Sequence, residues 1–380
     1  MTTGFAVRTA RFALCLLAGI GMLTVSSLAA AEYGLDFQRP VTEIGRDLLW
    51  LHHLIFIICV IIFVGVFGVM FYSVAVHRKG RGHKAAKFEE NGRLEVVWTI
   101  IPFFILVGMA YPSTTTLLKM DDVTKSDLTV KITGHQWKWE YEYMDEGLSF
   151  FSLLSTPRAE IYNEQKKNDD YLLQVDKPLV LPVGKKVRFL VTANDVIHAW
   201  WVPQLGVKKD AIPGFINEIW TRIEEPGTYR GQCAELCGKD HGYMPIVVQA
   251  VNESEFKTWV AEQKKLMVAA TAAADRTWSQ QELMDRGQEI YNKVCVACHQ
   301  PNGKGVPGVF PAIAGSKIAT GPVDGHLNIV MNGKPGTAMQ AFAKQLTDAD
   351  IAAVVTFQRN AFGNNTGDVV QPSQVKAARK

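Results

Sequence analysis

The chain has almost no excess of either charge. Its 40 Lys and Arg against 37 Asp and Glu leave +3 over 380 residues, far below the basic surplus of a nucleic-acid-binding surface, so that class of partner is excluded. Spare cysteine is also missing. Of six cysteines, Cys15 and Cys59 lie in apolar runs, and the others form two tight pairs, Cys233/Cys237 and Cys295/Cys298. None is left for a disulfide framework. No internal repeat is visible, and no second Cys-x-x-Cys completes a zinc site. Charged residues are absent from Leu54 to Val76 and again from Val96 to Leu118. Apolar runs of that length cross a bilayer as helices, the second interrupted by Pro102 and Pro112.

A chain of this length is expected to hold two or three units. Residues 48–118 read as a two-helix transmembrane hairpin. Its connecting loop carries Arg78, Lys79, Arg81, Lys84, Lys87 and Arg93. The positive-inside rule puts that loop in the cytoplasm, so both ends of the chain face the periplasm of a bacterial inner membrane. Residues 1–31 run from Arg8 and Arg11 through an apolar stretch to Ser-Ser-Leu-Ala-Ala-Ala, the order of a signal peptide. A retained anchor is the alternative, but the run is short for a span.

Over 121–252 the texture changes to short alternating strands at Leu128–Thr133, Trp137–Tyr143, Tyr171–Val175, Lys186–Thr192, Gly227–Arg230 and Pro245–Val251. Pro and Gly turns separate many of them, which predicts an all-β sandwich or barrel. Its acids outnumber its bases, a balance that would steer a basic partner. Residues 253–277 read as an amphipathic helix, Ser254–Met267, followed by an Ala-rich linker. Residues 278–362 look helical. Capping boxes at Ser279–Glu282 and Thr347–Asp350 open a first and a last helix. The polar stretch 363–380 reads as a flexible tail.

Two clusters carry chemistry. In Cys233-Ala-Glu235-Leu-Cys237-Gly-Lys-Asp-His241-Gly-Tyr-Met244, two thiols, an imidazole and a thioether fall within twelve residues, and His198 precedes them. Such soft donors select copper, and a second Cys lets two thiolates bridge two ions. A Cys-x3-Cys alone would be as readily an accident as a disulfide loop. The second cluster, Cys295-Val-Ala-Cys298-His299, has the spacing of covalent haem c attachment, with His299 as one axial ligand. The other axial position falls to Met339 or Met331. Met339, in an irregular Gly- and Pro-containing loop, is favoured, because Met331 follows an apolar run and reads as core.

His198 followed by C-x-E-x-C-x3-H-x2-M resembles the binuclear CuA site of cytochrome c oxidase subunit II, and the likeness covers roughly Leu48 to Val251. Trp278 to Asn360 resembles a small class I cytochrome c, with Gly287, Tyr291 and Phe357 at its helix crossing and Pro311 beside the ligand imidazole. The resemblance implies a multidomain fold: a transmembrane α-helical hairpin, an all-β cupredoxin-like Greek-key domain and an all-α cytochrome c domain. It implies that His198, Cys233, Cys237, His241, Met244 and the Glu235 carbonyl hold CuA. The Glu235 carboxylate would help hold magnesium at subunit I. Trp137 would relay electrons to copper, and Glu95 would stand at the mouth of a proton channel. Trp139, Tyr141 and Tyr143 read instead as strand filling. Phe215 departs from the family pattern, in which a basic residue often follows that Pro-Gly.

The function implied is electron transfer within a proton-pumping cytochrome c oxidase. Cytochrome c or a similar periplasmic donor would reduce haem c, and electrons would pass to CuA and on to subunit I for reduction of oxygen to water. Subunit III would be a further partner. A membrane-tethered electron carrier or copper-storage module is the competing reading, disfavoured because it needs none of Glu95, Trp137 and Glu235. A quinol oxidase subunit lacks the copper ligands, and a nitrous oxide reductase lacks the hairpin.

Overall fold

The computed structural model describes residues 36–82, 87 and 89–379. The expected signal peptide at 1–31, Cys15 and Lys84 lie outside them. Pro40 onward forms one compact unit.

Helices α1 (Glu43–Val76) and α2 (Gly92–Asp121) start at side-chain caps. Thr42 accepts from the Gly45 amide and Asn91 from the Leu94 amide, satisfying donors that a helix start leaves free. Their 34 and 30 residues exceed the ~20 needed to cross a bilayer. The most apolar stretch of each is wholly unburied, with Phe63, Phe71 and Phe104 exposed. At one end the pair is fastened. Lys119 of α2 bonds Glu43 and Asp47 of α1 at 2.5 and 2.8 Å. The Thr42 hydroxyl donates to the Leu205 carbonyl at 2.9 Å, Arg46 forks onto Glu224 at 2.6 and 2.8 Å, and the Trp220 indole donates to the Lys119 carbonyl at 3.0 Å.

Ten strands follow: β1 (Leu128–His135), β2 (Lys138–Tyr143), β3 (Leu148–Ser152), β4 (Leu179–Pro182), β5 (Val187–Ala193), β6 (His198–Val202), β7 (Val207–Ala211), β8 (Asn217–Thr221), β9 (Gly227–Cys233) and β10 (Pro245–Val251). They form two five-stranded sheets, ordered β3-β2-β1-β5-β8 and β4-β10-β9-β6-β7. The non-sequential neighbours are the crossovers of a Greek-key, cupredoxin-like sandwich. Burial alternates strictly along β5, the period-2 signature of a half-buried strand. Trp139, Tyr141, Phe189 and Trp200 from both sheets share one core. The strand expected at Tyr171–Val175 is absent. Turns closed by Tyr171 on Asn168 and Leu173 on Asp170 occupy it, and Leu172 has φ +59°, which breaks the pleat despite the apolar alternation.

Helix α3 (Glu253–Ala273) packs Phe256 and Val260 onto the sandwich core. It replaces the expected linker. The alanines after Met267 are the best helix formers, so the helix runs on to Ala273. The helical domain contains α4 (Gln280–Ile290), α5 (Val323–Asn332), α6 (Asp348–Asn360) and α7 (Pro372–Ala378). Both expected capping boxes form, at Ser279 and Thr347. Helices α4 and α6 cross at Gly287, where a Cβ would lie 2.2 Å from the Ala353 carbonyl oxygen. The Tyr291 and Phe357 rings pack alongside at a tilt, 5.6 Å apart. Residues 363–380 are not the expected loose tail. Val370 and Val375 are buried in the domain core, Gln371 exchanges two 2.9 Å hydrogen bonds with the Trp278 backbone, and Arg379 pairs with Asp348. Two valines in a polar stretch were enough to dock it.

Candidate functional site

Antiparallel register builds the first cluster. Pairing of β6 with β9 sets Trp200 opposite Cys233, so His198 at the head of β6 meets Cys233 at the end of β9. The loop to β10 then returns Cys237, His241 and Met244 to the same place. The two thiol sulfurs stand 3.8 Å apart, too far for a disulfide. His198 Nδ1 is 3.9 Å from Cys233 Sγ. His241 Nδ1 and Met244 Sδ are each 3.5 Å from Cys237 Sγ, and the Glu235 carbonyl is 3.2 Å from Cys233 Sγ. The centre of this donor set is therefore two sulfurs, each with an imidazole at its side, a composition that suits copper. Pairing with Cys237 holds the Cys233 thiol well below its usual range against burial, with His198 helping. Cys237 is correspondingly raised by Cys233 and by burial.

Supporting residues fix these donors. His198 donates from Nε2 to Asp195 Oδ1 at 2.9 Å, which leaves the Nδ1 lone pair for the sulfur side. Asp195 also accepts from the Gln136 and Val196 amides, both at 2.7 Å. Burial would raise its carboxyl, yet these bonds hold it below the usual range. Gln136 Nε2 and the Trp137 indole both donate to the Cys237 carbonyl, at 2.9 and 3.2 Å. The Trp139 indole donates to the Met244 carbonyl at 3.2 Å, so Trp139 anchors the loop as well as filling a strand face. At Gly134 a Cβ would lie 2.8 Å from the His198 ring. Sequence reasoning assigned no site role to Asp195, Gln136 or Gly134. Only Asp195, three residues before a candidate ligand, left a readable signal.

The remaining sequence candidates are dispersed. The Glu235 side chain is exposed. Glu95 is exposed in the first turn of α2, roughly 40 Å of helix from the fastened end at Asp121. Trp137 is half-buried and lines a cavity.

That cavity, 1480 Å³, lies between the sandwich and the helical domain. Helix α4 passes through a π turn, Tyr291–Cys295, into Val296–His299, which carries both cysteines and the histidine to its wall. His299 Nδ1 donates to the Pro311 carbonyl at 2.9 Å, leaving Nε2 as the free donor atom; burial lowers the basicity of this ring. Met339 lines the cavity and is half-buried, whereas Met331 is packed in the core. His326, also on the wall, has a buried Nδ1 with no partner, while its Nε2 bonds Gln358 at 2.8 Å. Two unbridged thiols, an oriented imidazole, a thioether and an orphaned nitrogen around one large space fit a covalently attached haem.

The two walls touch. Lys239 of the copper-type loop donates to the Ala297 carbonyl, between the two cysteines, at 2.9 Å. Gln340 donates to the Gln136 carbonyl, and Arg158 to the Asn292 carbonyl at 3.2 Å.

Comparison with known families agrees with this layout. Residues 30–116 match the transmembrane domain of cytochrome c oxidase subunit II, and 128–251 match its periplasmic domain. Residues 282–357 match cytochrome c oxidase, cbb3-type, subunit III. The probable cytochrome c oxidase subunit 2 of Rickettsia bellii is 38% identical over 251 residues, covering 65% of this chain and 92% of that protein. Cytochrome c oxidase subunit 2 of Cereibacter sphaeroides is 35% identical over 272 residues, covering 65% and 90%. The solved periplasmic domain of subunit II of cytochrome oxidase from Bradyrhizobium japonicum is 46% identical, covering 38% of this chain and 97% of its own, with a TM-score of 0.34. The hairpin is a membrane anchor, and the sulfur cluster falls inside the span matched to the periplasmic domain. The chain belongs to the cytochrome c oxidase subunit II family and carries a cytochrome c domain beyond it.

Proposed function

We propose that this chain receives single electrons from cytochrome c or a similar periplasmic donor and delivers them to subunit I of a proton-pumping oxidase in a bacterial inner membrane. The order is haem c first and dinuclear copper second, and oxygen is reduced to water in subunit I. The observation that carries this reading is the 2.9 Å bond from Lys239, between Cys237 and His241, to Ala297, between Cys295 and Cys298. It holds the two cofactor loops edge to edge.

Bound haem and copper supply reversible one-electron chemistry; the chain supplies position. Cys295 and Cys298 would attach a haem through thioethers, with His299 and Met339 as the residues that would ligate its iron. His198, Cys233, Cys237, His241, Met244 and the Glu235 carbonyl would hold a copper pair. Rigid ligands suit this work, since an unchanged geometry lowers the reorganisation each electron demands. Trp137, bonded to the Cys237 carbonyl and facing the haem cavity, shortens the gap between the centres. The exposed Glu235 carboxylate is free to share magnesium with subunit I. Glu95, at the far end of the hairpin, is placed for proton uptake from the cytoplasm, and subunit III completes the assembly. A dithionite-reduced spectrum of the purified complex should show haem c together with the haem of subunit I, and metal analysis should find two coppers per copy of this chain. A chain that purifies alone, with haem c and no copper, would instead be a tethered cytochrome.

A further inference from the structure

Lys138 is a buried cation without a contact ion pair among the described residues, with Asp195 and Glu140 acting on it only from a distance. It lies on β2 beside Trp137, is 5% exposed, and sits where the sandwich meets the helical domain. Its ammonium lies 5.3 Å from the centre of the Phe151 ring, in its own domain, and 5.0 Å from that of Phe342, in the haem domain. Among the described residues no carboxylate forms an ion pair with it. A buried charge without a counter-ion is destabilising, and two phenyl faces offset only part of that cost. Packing alone would be better served by an apolar residue. Lys138 also lines the cavity that holds Cys295 and Cys298. Lys239, from the copper loop, reaches the same attachment turn at Ala297 and lies 5.8 Å from the centre of the Phe310 ring.

We propose that Lys138 and Lys239 form a cationic seat on the copper domain for the haem-attachment loop, and that this seat favours the reduced haem over the oxidised one. The inference rests on the haem c reading above. Oxidised haem carries one more positive charge than reduced haem, so a nearby ammonium opposes oxidation and raises the midpoint potential. Burial pushes the Lys138 ammonium down to about 8, with Asp195 opposing, so it keeps its charge at neutral pH. Lys138 on the wall of the cavity and Lys239 on the Ala297 carbonyl both stand at the attachment turn. Linkage supplies the converse. A seat that favours reduced haem is itself gripped more tightly by reduced haem, so the domain loosens once its electron has gone.

Redox titration of the purified complex, followed in the haem c band, tests the seat. In Lys138→Met, at an ambient potential fixed at the wild-type midpoint, the reduced-to-oxidised ratio should fall about tenfold, the scale of one unit charge at about 10 Å and an effective dielectric of about 20. Lys138→Arg keeps the charge and should keep the midpoint. Lys239→Met should lower the midpoint as well and speed hydrogen exchange over residues 294–300 as the latch opens. A haemochrome assay and copper content show that each variant is folded and loaded. A haem-replete Lys138→Met with an unchanged midpoint would overturn the seat alone, as would an Arg variant that falls as far as Met. Absence of haem c from the unaltered complex would remove the underlying reading as well.

Discussion

Asp195 decides which nitrogen of His198 meets the sulfurs. By accepting from Nε2 at 2.9 Å, it leaves Nδ1 on the sulfur side, 3.9 Å from Cys233 Sγ. Asp195→Asn can present its amide N–H₂ to that nitrogen and favour the opposite tautomer, so copper affinity should fall about 10–100-fold, read by competition with a copper chelator. The bridging sulfurs are less forgiving. Cys233→Ser or Cys237→Ser leaves a single thiolate 3.5–3.9 Å from an imidazole, and paramagnetic resonance should show mononuclear copper in place of a mixed-valence pair. A pair signal surviving in either variant would rule out two bridging thiolates. On the haem side, Met339→His should lower the haem c midpoint, because an imidazole replaces the thioether, whereas Met331→Leu should leave it unchanged. The donors were legible in the sequence because five of them crowd into one loop. Gln136 was not, because its partners, Asp195 and the Cys237 carbonyl, lie 59 and 101 residues away in the chain.

Among the elements, α3 and α7 were misread for opposite reasons. The Ala-rich end of α3 looked like a linker because it lacks an apolar stripe, yet propensity alone carries the helix to Ala273. The terminal stretch looked loose because it is polar, yet Val370 and Val375 are buried in the domain core. A chain ending at Asp368 loses both, at about 1.5–3 kcal/mol each, and loses the Gln371 bonds to Trp278. Its haem domain should melt roughly 10 °C lower or more, read by following the haem band on heating. Unchanged melting would make α7 an ornament. Strands β1, β5, β9 and β10 were legible from alternation, whereas β4, β7 and β8 are only four or five residues long, too short for a period to declare itself.

At the scale of the whole molecule, the proposed route between the two centres runs through Trp137. Trp137→Phe removes the indole donor to the Cys237 carbonyl, but Gln136 still donates to that oxygen at 2.9 Å, so the copper signal should survive. Stopped-flow absorbance should then show haem c reduced at its normal rate and copper reduced more slowly. Copper that fills as fast as in the wild type would make Trp137 a packing residue. The helical domain, for its part, begins and ends at one spot. Gln371 clasps the Trp278 backbone, and Lys376 bonds Asp275 at 2.8 Å, so the module's first and last residues are neighbours just beyond α3. A part joined at a single seam can be gained or shed in one genetic event without rethreading the sandwich. Relatives that match about two thirds of this chain over nearly their whole length are what such an evolutionary history would leave behind.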